Sequence, residues 1–207
     1  MFIKSITQAY HHQNQSSITQ ANHHQNQPTK KRKVVEEDDS EETLELLLKW
    51  ISDTSDISPE KIVGDSVGRC SKPIRKQLME SDVKEDQNRL MLGKLQVEKL
   101  MFTLLEESEI PRGKEGIRVL VYGPDEEANE MMFKMWSSEK TPVLTCGWNK
   151  FVRKYELKMH CDFLMIRMFR HRETRKICFA IESTRLPITK KLSRRISKIV
   201  FKVEDSD

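Results

Sequence analysis

Asn149, Lys150, Arg153 and Lys154 fall on one side of a short periodic segment that begins at Trp148. The apolar residues among them, Trp148, Phe151, Val152 and Tyr155, follow the i, i+3, i+4, i+7 spacing of one helical face. A helix built this way buries its aromatic side and turns three cations and an amide outward. Lysine and arginine neutralise phosphate, and asparagine can make a bidentate contact to an adenine edge. The pattern therefore suits a phosphate-bearing polymer, while a solvated helix face is the alternative reading of the same residues. Gly147 breaks the chain just before the helix, a strand over 142–145 leads into it, and a second strand begins at Asp162.

Other chemistry has little footing. The chain has no H-E-x-x-H, and Gly113-Lys114-Glu115-Gly116 lacks the length and the following Ser or Thr of a phosphate-binding loop. Cys146, His160, Cys161 and His171 match no zinc-finger spacing. His11, His12, His23 and His24 lie in polar, Gln-rich sequence that offers a metal only loose contacts. No enzyme activity, metal or cofactor is expected.

The 36 Lys and Arg against 32 Asp and Glu leave a net charge of +4. That excludes a histone-like polycation, so any anion-binding surface must come from segregated charge. Cys70, Cys146, Cys161 and Cys178 form no C-x-x-C pair, and three sit in core-like strand contexts. They are expected to be reduced thiols of an intracellular protein. No apolar run approaches the ~20 residues needed to cross a bilayer, so no membrane partner is expected.

Apolar content of 37% with 33% charged residues is low for a chain folded throughout. Residues 1–72 read as a disordered tail, dispensable for folding: 5–15 recur as 17–27, differing only at Tyr10 and Asn22. Lys30, Lys31, Arg32 and Lys33 form a compact cationic cluster resembling a nuclear import signal, which implies an import receptor as partner and a nuclear location. An acidic run over 36–39, with Glu41 and Glu42, surrounds Ser40, a candidate for acidophilic phosphorylation. The apolar island 43–51 reads as an amphipathic helix that docks on the domain or on a partner, and 52–71 as a linker. Residues 185–207 read as a basic C-terminal extension.

Between 73 and 184 the pattern is mainly β. Strands are expected over 74–80, 89–92, 117–122, 130–136, 142–145, 162–167 and 176–182, with a helical stripe through Val97, Leu100, Met101, Leu104 and Leu105. Seven short strands with two short helices suit a small open barrel of α+β type.

Two stretches in this span resemble the plant-specific B3 DNA-binding domain. Residues 76–93, KQLMESDVKEDQNRLMLG, show its strand–SDV–loop–NRL–strand opening. Gly147-Trp148, Phe151-Val152 and Leu157-Lys158 match its turn, helix and following step. A long helix over 95–107 followed by a GKEGI-type strand entry adds to the likeness. The resemblance implies a seven-stranded open β-barrel that grips double-stranded DNA in the major groove between two arms, regulating transcription. Carried over, the first arm is Lys76, Lys84, Gln87, Asn88 and Arg89, and the second is Trp148, Asn149, Lys150, Arg153 and Lys154. Trp148 is expected to serve twice, its ring packed and its edge exposed.

Glu85 and Asp86 depart from the family by placing two carboxylates in the first arm, where they repel phosphate. Met159-His160-Cys161-Asp162 replaces the usual Gly-Asp turn. The rival reading is a B3-like fold that serves as a nuclear protein-interaction module. Leu44, Leu46 and Leu48 match a leucine-alternating repression motif of plant transcription factors, which implies a co-repressor as a further partner.

Overall fold

A computed structural model of the chain describes residues 36–54, 63–111, 115–136 and 141–202. The cluster Lys30, Lys31, Arg32 and Lys33 and the repeat before it lie outside these residues. The described chain runs β1 (Glu37–Asp38), α1 (Glu41–Thr54), β2 (Val67–Cys70), β3 (Ile74–Gln77), α2 (Glu80–Val83) and β4 (Arg89–Met91). A helical run α3 then winds through Lys94–Gln96, a wider π turn Val97–Met101 and a tight turn Phe102–Leu104. After it come β5 (Ile117–Tyr122), β6 (Ala128–Trp136), β7 (Thr141–Thr145), α4 (Trp148–Lys154), β8 (Asp162–His171), β9 (Ile177–Arg185), β10 (Lys191–Leu192) and α5 (Arg194–Val200).

All seven expected strands belong to one sheet, ordered β2-β8-β9-β5-β6-β7-β4, with β3 also paired to β8. The sheet is open: β4 ends it on one side, and β2 and β3 on the other. Within this sheet the β5–β9 contact is the parallel one, aligning Leu120 with Cys178 and Tyr122 with Ala180. β2, an eighth strand, arises inside the expected linker and pairs with β8 through Val67–His171 and Cys70–Phe169. The expected long helix over 95–107 is shorter and irregular, ending where Leu105 turns extended; Val97, Met101 and Leu104 face the core.

The sequence of β8, DFLMIRMFRH, does not alternate, and the structure explains it. Leu164, Ile166 and Met168 enter the main core beside Phe133, Leu144, Trp148 and Phe179. Phe163 and Phe169 point to the other face and need separate covers. Phe169 packs with Val67 and Ala180. Phe163 packs with Leu47 and Trp50 of α1 and with Ile188, Leu192, Ile196 and Val200 at the C-terminal end. The Trp50 and Phe163 rings meet edge to face, 5.6 Å between centroids.

The expected domain limits are corrected accordingly. Residues 36–54, placed in a disordered tail, and 191–200, placed in a basic extension, form one layer over the outer face of β8. α1 is the amphipathic helix expected over 43–51, docked on the domain, whereas α5 was not expected. The reason for the layer is Phe163, an apolar side chain that would otherwise face water. β1 and β10 pair in parallel, Glu37 against Lys191 and Asp38 against Leu192. Gln77, 5% exposed, fastens the turn into β10: its amide donates to the carbonyls of His160 and Lys190, each at 2.9 Å, and its oxygen accepts from Leu192 N at 3.0 Å. Because α1 is helical, Leu44 and Leu46 are taken into packing and only Leu48, 45% exposed, stands clear.

Two ion pairs secure the ends of the long strands. Asp162, nearly fully buried, receives the Arg185 guanidinium in a fork with both contacts at 2.8 Å. Arg170 on β8 donates to both oxygens of Glu109, at 2.9 and 2.6 Å, and to the carbonyl of Leu104 at 2.8 Å, tying α3 to the sheet. This Arg170 fork holds the Glu109 carboxyl down at about 2, from an ordinary 4.5.

A fragment beginning at residue 71 is expected to melt about 10 °C or more below the full chain in a thermal scan, because it strips α1 from Phe163. Trp50→Ala in the full chain should cost about 3–5 kcal/mol in urea unfolding. Glu109 is a carboxylate whose folded value is depressed. Its contribution is complete above about 4.5 and is lost as pH falls towards about 2. The stability gap between wild type and Glu109→Gln, followed by urea midpoints, should therefore shrink across that window.

Candidate nucleic-acid interface

α4 owes its position to the turn before it. Cys146 takes a left-handed conformation at φ 60°. A side chain on Gly147 would place its Cβ 2.6 Å from the Glu130 carbonyl oxygen, so the chain can pass β6 here only as glycine. The expected burial stripe is present: Trp148 and Phe151 are buried, while Val152 and Tyr155 pack partly. Trp148 stacks on Phe151 at 5.3 Å, and Phe151 meets Tyr155 at 4.5 Å. With that face inward, Lys150, Arg153 and Lys154 are exposed and Asn149 is half-buried.

Trp148 itself is 0% exposed. Its indole N–H donates to the carbonyl of Asp82 at 2.6 Å. The expectation that its edge would reach a ligand is corrected: a fully buried ring can only position the helix. It does so by locking α4 to α2, the start of the other arm.

The first arm is organised by Asp82, whose carboxylate is buried. It accepts from Met79 N at 2.9 Å and Met91 N at 3.2 Å, and pairs with Lys76 Nζ at 2.9 Å. One side chain thus joins β3, α2 and β4. Lys76 is only 19% exposed and serves this pair. Removing a partner from a buried charge is expensive, so Lys76 is fixed in place.

The loop 84–88 then folds directly against α4. Asn88 sits in the left-handed region at φ 40°, its side-chain oxygen accepting from Asn149 N at 2.9 Å and its carbonyl from Thr145 Oγ1 at 2.7 Å. Asn88 thereby caps the loop against the start of α4. Asn149 Nδ2 donates to the Glu85 carbonyl at 2.5 Å, and Arg153 pairs with the Glu85 carboxylate at 3.4 Å. The two arms are one bridged surface in this structure. Gln87 is half-buried at the loop's end, and Lys84 pairs with Asp86 at 3.6 Å. Arg89 sits over Trp136, 4.7 Å from the ring centre, with Lys134 at 5.4 Å from the same ring.

Lys154 is held by a second acidic loop, between β5 and β6. It pairs with Asp125 at 2.5 Å and Glu127 at 2.6 Å, and the Tyr155 hydroxyl donates to Asp125. Lys154 and Tyr155 together hold the Asp125 carboxyl down at about 2, and the same contacts raise Lys154. Among the described residues Lys150 has no carboxylate partner. Sequence reasoning missed Asp82, Trp136, Asp125 and Glu127. The SDV motif was a usable signal for Asp82; the others are brought in by the β5–β6 hairpin, and nothing local marks them.

Burial decides which of these pairs can open. Arg153 and Glu85 are 65% and 80% exposed in their side chains, and Lys84 and Asp86 are 56% and 61% exposed. Exposed pairs of this kind contribute about 0–1 kcal/mol, so a phosphate can take the place of the carboxylate. The surface can thus present Lys84, Lys150 and Arg153 to a polyanion, with Asn149, Gln87 and Arg89 beside them.

The family model described as B3 domain-containing protein At2g31720-like matches residues 39–185, a span that takes in α1. B3 domain-containing protein At4g03170 of Arabidopsis thaliana is 53% identical over 146 residues, 70% of this chain and 57% of its own length. B3 domain-containing protein At1g20600 of the same plant is 51% identical over 129 residues, 61% of this chain and 53% of its own. The chain thus spans little more than half the length of these two relatives. Among solved structures, the Arabidopsis FUS3–DNA complex is 21% identical with a TM-score of 0.40, covering 57% of this chain and 96% of that one. The Arabidopsis thaliana LEC2–DNA complex is 23% identical with a TM-score of 0.39, covering 58% and 96%. With the family model matching well over half of its residues, this chain belongs to the B3 domain-containing protein family.

Proposed function

We propose that this protein binds double-stranded DNA in a sequence-specific manner in the nucleus and regulates transcription. The observation that carries the proposal is the outward face of α4, where Asn149, Lys150 and Arg153 stand beside Lys84, Gln87 and Arg89 on a helix anchored by Trp148. Phosphate contacts fall to Lys84, Lys150 and Arg153, and base-edge contacts to Asn149, Gln87 and Arg89. Membership of the B3 family supports the same reading. An import receptor engaging Lys30, Lys31, Arg32 and Lys33 is part of the proposal, on sequence grounds alone. A co-repressor contact through Leu44, Leu46 and Leu48 is likewise proposed on sequence grounds alone; of the three, Leu48 is the exposed one. The rival, a protein-interaction module, draws on one specific observation: Glu85, Asp86, Asp125 and Glu127 already neutralise Arg153, Lys84 and Lys154.

A salt titration of affinity for a selected duplex separates the two. Lys150→Ala should weaken binding to every sequence and flatten the salt slope by about 0.9 log units per decade, one contact's worth. Asn149→Ala should relax discrimination at one or two base pairs by about 1–3 kcal/mol. Glu85→Lys, which frees Arg153 and adds a cation, should tighten binding. If all three leave affinity unchanged while the fold stays intact, the interaction module stands instead.

Replacing Lys31, Arg32 and Lys33 with alanine in a fluorescent fusion should reduce nuclear accumulation. Undiminished accumulation would move the import signal elsewhere in the chain.

A further inference from the structure

Residues 190–202 carry six cations, Lys190, Lys191, Arg194, Arg195, Lys198 and Lys202. The structure divides them sharply. Glu36 holds Lys190 at 2.8 Å, Glu37 holds Lys191 at 2.8 Å, and Arg195 is gripped by Asp39 at 3.0 Å and Glu41 at 2.8 Å. Arg194, Lys198 and Lys202 are exposed and have no carboxylate partner among the described residues. Arg194 and Lys198 are four residues apart on α5, about 6 Å along its axis.

Fastening the N-terminal segment does not require these charges. All the paired side chains are at least 40% exposed, in the range where a pair contributes about 0–1 kcal/mol. Leu47, Trp50 and the β1–β10 pairing already hold that segment by buried contacts. What the acids do is cancel a concentrated positive field. Lys191 and Ser197 share a surface cavity with Lys76 and Met79, at the root of the first arm and outside its exposed cations.

We propose that residues 190–202 form a second phosphate-contacting surface for the same DNA duplex, and that Glu36, Glu37, Asp39 and Glu41 occupy its cation sites in the unbound chain and are displaced by DNA phosphate. A folded helix suits this partner better than an import receptor, which reads extended chain: Ile196 and Val200 are buried and hold α5 in shape. The inference rests on the DNA-binding reading above. It adds that the acidic segment tunes sequence-independent affinity from outside the base-reading arms.

The test uses the full chain, a duplex of unrelated sequence and fluorescence anisotropy across a salt series. E36Q/E37Q leaves the backbone pairing in place, and should raise affinity severalfold and steepen the salt slope by up to about 1.8 log units per decade, the equivalent of two contacts. K190A/K191A should weaken the wild-type chain, and added to E36Q/E37Q should abolish the gain. Unchanged affinity and slope in E36Q/E37Q overturn the proposal. So does a gain in import-receptor binding by that variant with no change in DNA slope, which would make the surface a transport signal. Lys150→Ala serves as the separate control. If it has no effect while E36Q/E37Q gains, α4 is not the contact surface but the C-terminal one is; if it weakens binding while E36Q/E37Q is inert, only the present proposal falls.

Discussion

Strand β8 is apolar on both faces, and the rest of the molecule is arranged to satisfy that. It pairs with β2, β3 and β9, so its backbone is committed on both edges. Its inward residues Leu164, Ile166 and Met168 need the main core, and its outward Phe163 and Phe169 need covers of their own. Leaving a phenylalanine exposed forfeits about 1.5–3 kcal/mol of burial, a large share of a domain's net stability. The covers come from far along the chain: α1 from before the sheet, β10 and α5 from after it. A segment rich in acids and one rich in bases are brought together by the aromatic side chain beneath them. Their charge pairing follows from that packing and does not drive it.

The candidate interface is joined to the sheet by a buried polar connection at Asp82. Asp82 binds Met79, Met91 and Lys76 with its carboxylate, and Trp148 with its carbonyl. Asp82 and Trp148 are buried, so their bonds matter by the penalty for leaving such a group unpaired, about 1–3 kcal/mol and more for the charge. This knot sets the distance between the loop 84–88 and α4, and hence the spacing of every side chain that could touch a duplex. Trp148 and Asp82 are positioning residues; neither is exposed to a ligand.

Charge on the surface follows a different logic. Acid and base are close to balanced overall, and nearly every exposed cation at the interface has a carboxylate within 4 Å. Such pairs are weak in water and weaker in salt, so they set a threshold for polyanion binding without forbidding it. The pair between Lys76 and the buried Asp82 belongs to the structure, whereas Arg153 with Glu85 is open to exchange. Lys154 lies between these cases, with two carboxylates and its side chain 26% exposed.

Local pattern was enough for the strands, for the amphipathic α4 and for the two motifs of the B3 family, because period-2 and period-3.6 burial and the glycine at 147 are written into neighbouring residues. Hydrophobic periodicity also put Trp148 inside, and it is fully buried. The continuous apolar run of β8 was a local signal of a doubly covered strand that composition alone had obscured. What covers it could not be read from sequence, since residues 43–51 and 192–200 are brought together only by meeting at Phe163. The partners of the interface cations were equally hidden. Asp125 and Glu127 reach Lys154 across a hairpin, and Glu36 and Glu37 reach Lys190 and Lys191 across more than 150 residues. Sequence determines which charges exist; which of them are cancelled depends on distances of a few ångströms, and those distances are set by tertiary packing.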